Sequence, residues 1–385
     1  MKLFYCFMFL NSVLLAKDPD TARYETRPNF YGQDEEILTF DVQDIPHVRN
    51  LQAYEPQFHF PPIRQDTTGT CWCFSAVSFL ESELFRMGRG RIELSRMYTV
   101  YWEYVDKIRN FIKTRGESLV AEGSQHNAVI ERIRRYGTVR MQDYTGLIDT
   151  QKIYNHSALY QEVSDYLDYV KRNQLWNEDQ VTANVRMILN RHMGVPPNAI
   201  RVDGKEVTPV QYAEQVLDIP LDEYVTFISF KYAPFWSRAS YKVPDNWWQS
   251  QDYYNVPLDV FYNGLKGAIR NGYTAAIAGD VSEPGKYGWF DIAVIPTFDI
   301  PSRYIDQSAR ELRFENKSST DDHGVHLIGY KQYKGEDWFL IKDSAASAWR
   351  GEFDGYHFFH GDYIKLKILA YMVHRSAVEP ILEKF

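Results

Sequence analysis

The stretch FPPIRQDTTGTCWCFSAVSFLESEL, from Phe60 to Leu84, places a glutamine, a glycine and two cysteines ahead of a helical pattern. Apolar residues recur at helical spacing after Phe74, and Gly88 follows as a stop signal, so the sequence predicts a helix that begins at Cys71. The unpaired N–H groups and the dipole at a helix N-terminus stabilise a thiolate. Cys71 is therefore the candidate nucleophile.

The second cysteine of this stretch, Cys73, does not share that position. It lies about 200° around the helix from Cys71, among apolar neighbours, which predicts a small buried side chain. A purely structural Cys71 is one alternative. A metal site built from Cys71, Cys73, His323 and His326 is another, but the helix separates the thiols and strand alternation separates the histidines. We expect neither a metal nor another cofactor.

Gln65 lies close enough to Cys71 to take part in catalysis. Six positions separate the two residues, and a loop through Gly69 can bring the Gln65 side-chain amide beside the Cys71 backbone N–H. Two such donors form an oxyanion hole, which binds the charge that develops when a thiolate attacks a carbonyl.

A nucleophilic thiol also needs a base, and the histidines of TDDHGVHLIGY, His323 and His326, are the candidates. On a strand these two side chains point to opposite faces, so only one of them can meet the thiolate. Asp343 ends the next strand-like segment and can accept a hydrogen bond from the base. The sequence thus contains a thiol, a histidine and a carboxylate that can act together.

Charge and length exclude other classes of function. The chain has 385 residues, a net charge of −8 and a pI near 5.7, and its Lys and Arg residues form no long basic run, so we expect no nucleic-acid partner. Residues 1–16 have the pattern of a signal peptide, because Lys2 precedes an apolar run that is too short to span a bilayer. We therefore expect export, to a periplasm or to the outside of the cell, and no membrane span after signal removal. A buried N-terminal helix in a protein that is not exported is the alternative.

The remaining chain divides into five segments by composition and pattern. They are an extended segment at 17–60, a helical lobe with the nucleophile at 61–148, a mainly helical insertion at 149–250, a β lobe with the histidine and the aspartate at 251–378, and a short tail at 379–385. The β lobe begins with a helix at 258–272 and continues with strand-like segments at 273–281, 323–333, 337–345 and 355–367. The predicted fold class is α+β.

Three motifs occur in the order that is typical of papain-like cysteine peptidases. QDTTGTCWCFSA resembles their glutamine-to-cysteine signature, DHGVHLIGY resembles their histidine strand, and IKDSAASAWRGEFDGY resembles their KNSWG...WG...GY segment. The resemblance implies Cys71 as nucleophile, His323 as base, Asp343 as orienting residue and Gln65 as oxyanion donor. It also implies a two-lobed fold, with a helical lobe, an antiparallel β-sheet or barrel lobe, and the helical insertion between them.

The resemblance also implies a cleft that binds an extended peptide. Its substrate-binding positions are Gly69 and Trp72 beside the nucleophile and Gly123 and Ser124 in AEGSQ. The family usually has two adjacent glycines at the second place, whose open backbone pairs with the substrate. Ser124 replaces the second of them here, and Gly123 retains the first.

Two positions near the base depart from the family pattern. Most relatives have asparagine where Asp343 stands, and Ala345 replaces a tryptophan that shields the histidine hydrogen bond. A carboxylate can accept from the imidazole Nδ1–H and, by stabilising the imidazolium, raise the pKa of the histidine. Without the aromatic cover we expect water to reach this hydrogen bond.

Within the family, the closer resemblance is to bleomycin hydrolase and bacterial aminopeptidase C. ELSRMYTVYWEYVDKI is similar to their FELSQSYLFFWDK helix, and AEGSQHNAV is similar to their DGGQWDML. This implies peptide substrates, aminopeptidase activity and a homo-oligomer. In those relatives a C-terminal arm enters the cleft and restricts cleavage to N-terminal residues. Few residues follow the last strand here, so internal cleavage and a monomer stay open as alternatives.

The sequence therefore predicts a cysteine peptidase that works through a Cys71 thiolate, a His323 imidazolium and an acyl-enzyme intermediate. An alternative from a different class is a catalytically silent relative that binds peptides or a protein partner in the same cleft. Asp343 and Ala345 are the residues that prompt this alternative.

Overall fold

A computed structural model describes residues 22–28, 33–43 and 45–385 of the chain. The predicted signal peptide at 1–16 lies outside these residues. Within them, helices and a large sheet occur together, so the α+β prediction is confirmed. None of the helices in this described part is both long enough and apolar enough to cross a bilayer.

The larger helices of the first half pack together in one apolar cluster. They are α1 (Cys71–Arg86), α2 (Arg96–Lys113), α3 (His126–Tyr136), α4 (Ser157–Arg172) and α5 (Glu178–Met193). The other helices are α6 (Pro209–Gln211), α7 (Leu258–Arg270), α8 (Gln307–Glu315), α9 (Gly361–Lys367) and α10 (Glu379–Leu382). Helix α1 begins at Cys71, as the sequence predicts.

The strands of the described residues form three sheets. The two small sheets are hairpins, β1 (Arg23–Pro28) with β2 (Asp34–Thr39) and β3 (Ile200–Val202) with β4 (Lys205–Val207). The large sheet consists of β5 (Tyr224–Ile228), β6 (Ser237–Ala239), β7 (Tyr253–Asn255), β8 (Ala275–Gly279), β9 (Lys286–Tyr287), β10 (Ile292–Ala293), β11 (His323–Tyr333), β12 (Glu336–Lys342), β13 (Tyr356–His360) and β14 (Ile368–His374). Its spatial order is β6-β7-β5-β14-β8-β11-β12-β13-β10-β9.

This sheet is mixed, so the expectation of a purely antiparallel sheet is wrong. Strand β5 pairs with β7 in parallel, and β10 pairs with β13 in parallel. Both exceptions involve a short edge hairpin, β6–β7 or β9–β10, whose inner strand joins the sheet. A long stretch of chain separates each inner strand from the neighbour with which it pairs. Such a connection permits a parallel pair, whereas a tight turn permits only an antiparallel one.

Two segments differ from their predicted structure. The segment 149–250 supplies α4 and α5, but it also supplies β5 and β6 to the large sheet. The strand predicted at 355–367 ends at His360, and α9 follows it. The His360 side chain accepts a hydrogen bond from Asp362 N–H at 3.2 Å, which caps the new helix and ends the strand.

Helix α1 packs against one face of the sheet and determines where Cys71 lies. Phe79, Leu80 and Leu84 are fully buried, and burial of each such side chain contributes roughly 1.5–3 kcal/mol. Gly324 of β11 permits a close approach, since a Cβ at this position would be 3.3 Å from Trp72 Cα. The N-terminus of α1 therefore lies beside the first residues of β11.

Helix α7 covers the opposite face of the sheet. Along β11, Val325 and Leu327 face the apolar cluster of α7, whereas His326 faces α1. The last residue of the chain, Phe385, packs its ring against Trp236 and Tyr254, which border the α7 cluster.

Candidate active site

Cys71 is partly exposed at the first position of α1. The preceding residue, Thr70, makes no side-chain cap to the helix. Its hydroxyl instead lies 2.6 Å from the hydroxyl of Thr68. The first N–H groups of a helix have no partner within the helix, and here they open beside a thiol. This position can bind an anion that forms next to the sulfur.

His323, the first residue of β11, bonds to Asp343, which follows β12. His323 Nε2 and Asp343 Oδ1 are 2.7 Å apart. The expectation that Nδ1 makes this bond is therefore wrong. Nε2 makes the bond instead, because the imidazole ring extends from β11 towards Asp343 at the end of β12. Nδ1, on the other side of the ring, is therefore available to Cys71.

This hydrogen bond is shielded from water, so the expectation that the loss of the tryptophan exposes it is wrong. The side chains of His323 and Asp343 are 6% and 0% exposed. Lys286 and His357 pack around the second carboxylate oxygen, at 3.5 and 3.6 Å. They provide cover that Ala345 does not.

The charges of this group reinforce one another. Burial opposes protonation of His323, but the charges of Asp343 and Cys71 and hydrogen bonds to both raise the pKa of His323 to about 10. Burial also opposes ionisation of Asp343, yet the positive charges of His323 and Lys286 hold the pKa of its carboxyl well below the usual range. At neutral pH the pair is an imidazolium and a carboxylate, and the imidazolium faces the Cys71 sulfur.

Gln65 is held against the segment that follows Asp343. Its backbone N–H donates to the Ser344 carbonyl at 3.0 Å, and the Ser344 hydroxyl donates to Gln65 Oε1 at 2.7 Å. Gln65 Nε2 donates to the Thr68 carbonyl at 2.7 Å. An amide nitrogen has two N–H groups, so one remains for a substrate oxygen. The same segment therefore supports the base and the predicted oxyanion donor.

Gly69 and Trp72 both contact Glu122. Gly69 N–H donates to Glu122 Oε2 at 2.9 Å, and Trp72 Nε1 donates to the Glu122 carbonyl at 3.1 Å. A Cβ at position 69 would lie 2.8 Å from Glu122 Cβ, so the approach requires glycine. Trp72 is buried, and its ring supports the loop beside the nucleophile.

Gly123 and Ser124 follow directly after Glu122. The Gly123 carbonyl accepts a hydrogen bond from Lys107 Nζ. Ser124 is buried and donates to Glu103 Oε1 at 2.5 Å, so its hydroxyl is engaged inside the helical part. Of the two predicted positions, Gly123 is partly exposed and Ser124 is buried.

His326 and Cys73 are buried away from the site. His326 Nδ1 lies 2.9 Å from the Ser78 hydroxyl of α1, and burial holds the pKa of His326 well below its usual value. Cys73 donates to the Arg96 carbonyl at 3.3 Å, and burial raises the pKa of its thiol. Both residues pack in the core, as the sequence predicts.

Four further residues near the site lie outside the three catalytic motifs. Glu122 and His126 stand next to the predicted Gly123–Ser124 pair, so their neighbourhood is a signal; His126 Nε2 lies 2.8 Å from the Ser75 hydroxyl. Asp245 and Lys286 come from segments without a recognisable motif, and only the fold brings them here.

No protein-family model matches the sequence, and no curated protein matches it. The fold is similar to that of a solved crystal structure, PepW from Lactobacillus rhamnosis HN001, with a TM-score of 0.66 at 16% sequence identity. The similarity covers 85% of this chain and 83% of that chain. Further solved structures also match. At this identity the likeness shows a shared fold.

Proposed function

We propose that this protein is a cysteine peptidase with a papain-like two-lobed cleft. One observation carries the proposal: His323 lies between Asp343 and Cys71, and Cys71 stands at the N-terminus of α1. The fold shared with PepW supports a peptidase. In this proposal the helices around α1 and the sheet that contains β11 form the two walls of the cleft.

The reaction begins when the Cys71 thiolate attacks the carbonyl carbon of a peptide bond. The carbonyl oxygen takes the negative charge and accepts hydrogen bonds from Cys71 N–H and Gln65 Nε2. His323 donates its Nδ1 proton to the leaving amine, and a thioester remains on Cys71. Water then loses a proton to neutral His323 and attacks the thioester. The acid leaves, and the thiolate and imidazolium are restored.

A carboxylate beside Gly123 that makes no hydrogen bond with the described residues supports aminopeptidase activity. A Cβ at position 123 would lie 2.8 Å from Asp245 Cγ, so Asp245 stands directly against the backbone where an extended peptide is expected to pair. Asp245 makes no hydrogen bond or ion pair with the residues that the structure describes. Burial raises the pKa of its carboxyl, and the nearby charge of Lys107 opposes that rise. It would stop a longer chain there, and its charge would attract the free α-ammonium group of a peptide.

The loop around Asp245 is held firmly, although the Asp245 side chain itself makes no hydrogen bond among the described residues. Asn246 Nδ2 donates to the carbonyls of Tyr241 and Ser250 at 3.0 and 3.2 Å. Trp247 Nε1 donates to Glu103 Oε1 at 2.7 Å, the oxygen that also accepts from Ser124. The carboxylate is thus positioned by its neighbours, as a preformed ligand site requires.

An irreversible epoxide or vinyl sulfone peptide analogue tests the proposal. We expect stoichiometric labelling of Cys71 that is much faster than labelling of free cysteine, and loss of labelling in Cys71→Ser and His323→Ala. Cys73→Ala is the matched control, because that thiol is buried, and it should label normally. Labelling no faster than that of free cysteine would contradict the peptidase and favour a protein that only binds peptides.

A further inference from the structure

The second oxygen of Asp343 has no hydrogen bond of its own. Oδ1 accepts from His323 Nε2 and from Ala345 N–H, at 2.7 and 2.8 Å. Oδ2 is fully buried and has no hydrogen-bond partner in the described part of the chain. Two nitrogens face it, Lys286 Nζ at 3.5 Å and His357 Nε2 at 3.6 Å. A buried carboxylate oxygen in this situation requires a nearby positive charge.

Lys286 provides that charge, and His357 does not. The ring of His357 is completely buried in β13. Burial and the neighbouring Lys286 lower the pKa of His357 to about 3, so this ring is neutral at physiological pH. The ammonium group of Lys286 is therefore the cation on this side of Asp343.

Lys286 is held in place independently of Asp343. It lies in the edge strand β9, and its side chain is 4% exposed. Its Nζ donates to the Ser347 hydroxyl at 2.9 Å, in the loop that follows Asp343. Gly288 brings β9 close to this loop, since a Cβ there would be 2.5 Å from the Ser347 carbonyl. The lysine is thus built into the site.

Other titratable groups also face His323 and Asp343. Burial and the charge of His323 lower the pKa of His126 on α3 to about 3, so this ring is neutral. Burial raises the pKa of Tyr363 on α9 well above its usual value, so its hydroxyl stays protonated. Asp322 precedes β11, and burial and the charge of Asp280 raise the pKa of its carboxyl. None of these groups supplies a second cation to Asp343.

We propose that Lys286 is a positioning residue that neutralises Asp343, so that the carboxylate replaces the uncharged asparagine of papain-like enzymes. This inference rests on the proposed function. The net charge of the site is zero when a Cys71 thiolate and a His323 imidazolium stand beside the Asp343 carboxylate and the Lys286 ammonium group. The net charge is also zero when a thiolate and an imidazolium stand beside a neutral asparagine. Without the lysine, the site would carry one excess negative charge, and this would disfavour the thiolate.

The test is the pH dependence of Cys71 alkylation by iodoacetamide, which needs no peptidase activity. We expect Lys286→Met to move the midpoint of the alkylation rate by about one pH unit to higher pH, so that alkylation is roughly tenfold slower at pH values below both midpoints. Asp343→Asn should move the midpoint in the opposite direction, because Lys286 is then uncompensated. The double variant Lys286→Met/Asp343→Asn should return close to the wild-type midpoint.

Two further variants distinguish charge from structure. Lys286→Arg keeps the charge and should retain a midpoint near that of the wild type. Lys266→Met removes the remote Lys266–Asp337 ion pair, 2.7 Å long, and should leave the midpoint unchanged. An alkylation midpoint in Lys286→Met equal to that of the wild type would overturn the inference. So would a double variant whose midpoint is no closer to the wild-type value than that of Lys286→Met. Should Lys286→Met not fold, an unshifted Asp343→Asn midpoint would overturn it as well.

The outcome is independent of whether peptides are cleaved. If alkylation shifts as expected but no peptide is hydrolysed, the charge pairing stands and the peptidase proposal fails. If peptides are hydrolysed and the midpoints do not move, the peptidase stands and Lys286 is only a structural residue.

Discussion

Gly324 of β11 lies so close to His126 of α3 that a Cβ at position 324 would be 2.7 Å from His126 Nε2. The same Cβ would be 2.9 Å from the Ser75 hydroxyl. Since Gly324 directly follows His323, we expect this contact to limit how near His323 lies to Cys71 at the start of α1. A glycine with an ordinary backbone conformation thus controls the distance across the candidate cleft.

Gly324→Ala should therefore reduce both stability and activity. The added methyl group must displace α1 or His126, which we expect to cost about 1–3 kcal/mol in the free energy of unfolding. Displacement of His323 from Cys71 should lower kcat/KM by about 10²-fold. Urea denaturation and peptide hydrolysis measure the two effects. Gly267→Ala in α7 is the control, since nothing lies within 4 Å of its Cβ position; normal activity in Gly324→Ala would contradict the role of this contact.

The raised pKa of His323 couples folding to pH. The pKa is about 10 in the folded protein and 6.5 without these interactions, so folding favours the protonated ring. This contribution to stability is complete below pH 6.5 and is lost as the pH rises from 6.5 to about 10. Asp343 acts in the opposite sense, because its lowered pKa adds stability that is lost in acid.

We therefore expect the free energy of unfolding to fall more between pH 6.5 and 10 in the wild type than in His323→Gln. Urea titrations at the two pH values measure the difference. His360→Gln is a control, because His360 pairs with Glu336 at the far end of β13 and should follow the wild type. Parallel pH dependence in His323→Gln and wild type would show that His323 is not the group responsible.

Gln65→Ala should reduce kcat while changing KM little. An oxyanion donor acts on charge that develops in the transition state, and removal of one donor costs roughly 10²–10³-fold in kcat. Ser344→Ala removes the hydroxyl that donates to Gln65 Oε1 but leaves the amide, so we expect a smaller loss. Steady-state kinetics on one peptide substrate compares the variants. A Gln65→Ala effect confined to KM would contradict the oxyanion role.

Asp245→Asn should weaken selection for a free N-terminus. Loss of a charged hydrogen bond, worth about 1.5–3 kcal/mol, predicts a decrease of roughly 10–100-fold in kcat/KM for peptides with a free amine. The wild type should cleave peptides with an acetylated N-terminus poorly, and the variant should cleave them at the same low rate. Asp252→Asn, in an exposed pair with Arg238, is the matched control. Equal cleavage of free and acetylated peptides by the wild type would instead indicate internal cleavage.

The elements that a local pattern specifies are predictable from the sequence. Helical spacing after Cys71 predicts α1, and strand alternation separates His323 from His326. These signals are local, because side-chain direction follows from the helical or strand repeat alone. The α9 helix escapes prediction because its residues also fit a strand pattern, and the hydrogen bond between His360 and Asp362 that ends the strand is not visible in the composition.

Residues that reach the site through tertiary contacts are not predictable in this way. Lys286 belongs to an edge strand of two residues, and Asp245 to a loop whose position depends on Asn246 and Trp247. Neither has a periodic pattern or a motif around it. The shielding of the His323 hydrogen bond is mispredicted for the same reason, because its cover comes from chain segments distant in sequence.

The burial of Cys73 determines how the protein responds to oxidants. A sulfenic acid formed on Cys71 is protected from further oxidation when a nearby thiol condenses with it to a disulfide. Cys73, the other free thiol of the described residues, lies in the core with its S–H directed at the Arg96 carbonyl. For the proposed peptidase we therefore expect recovery of an oxidised Cys71 to depend on thiols other than Cys73, and peroxide exposure without them to cause permanent inactivation.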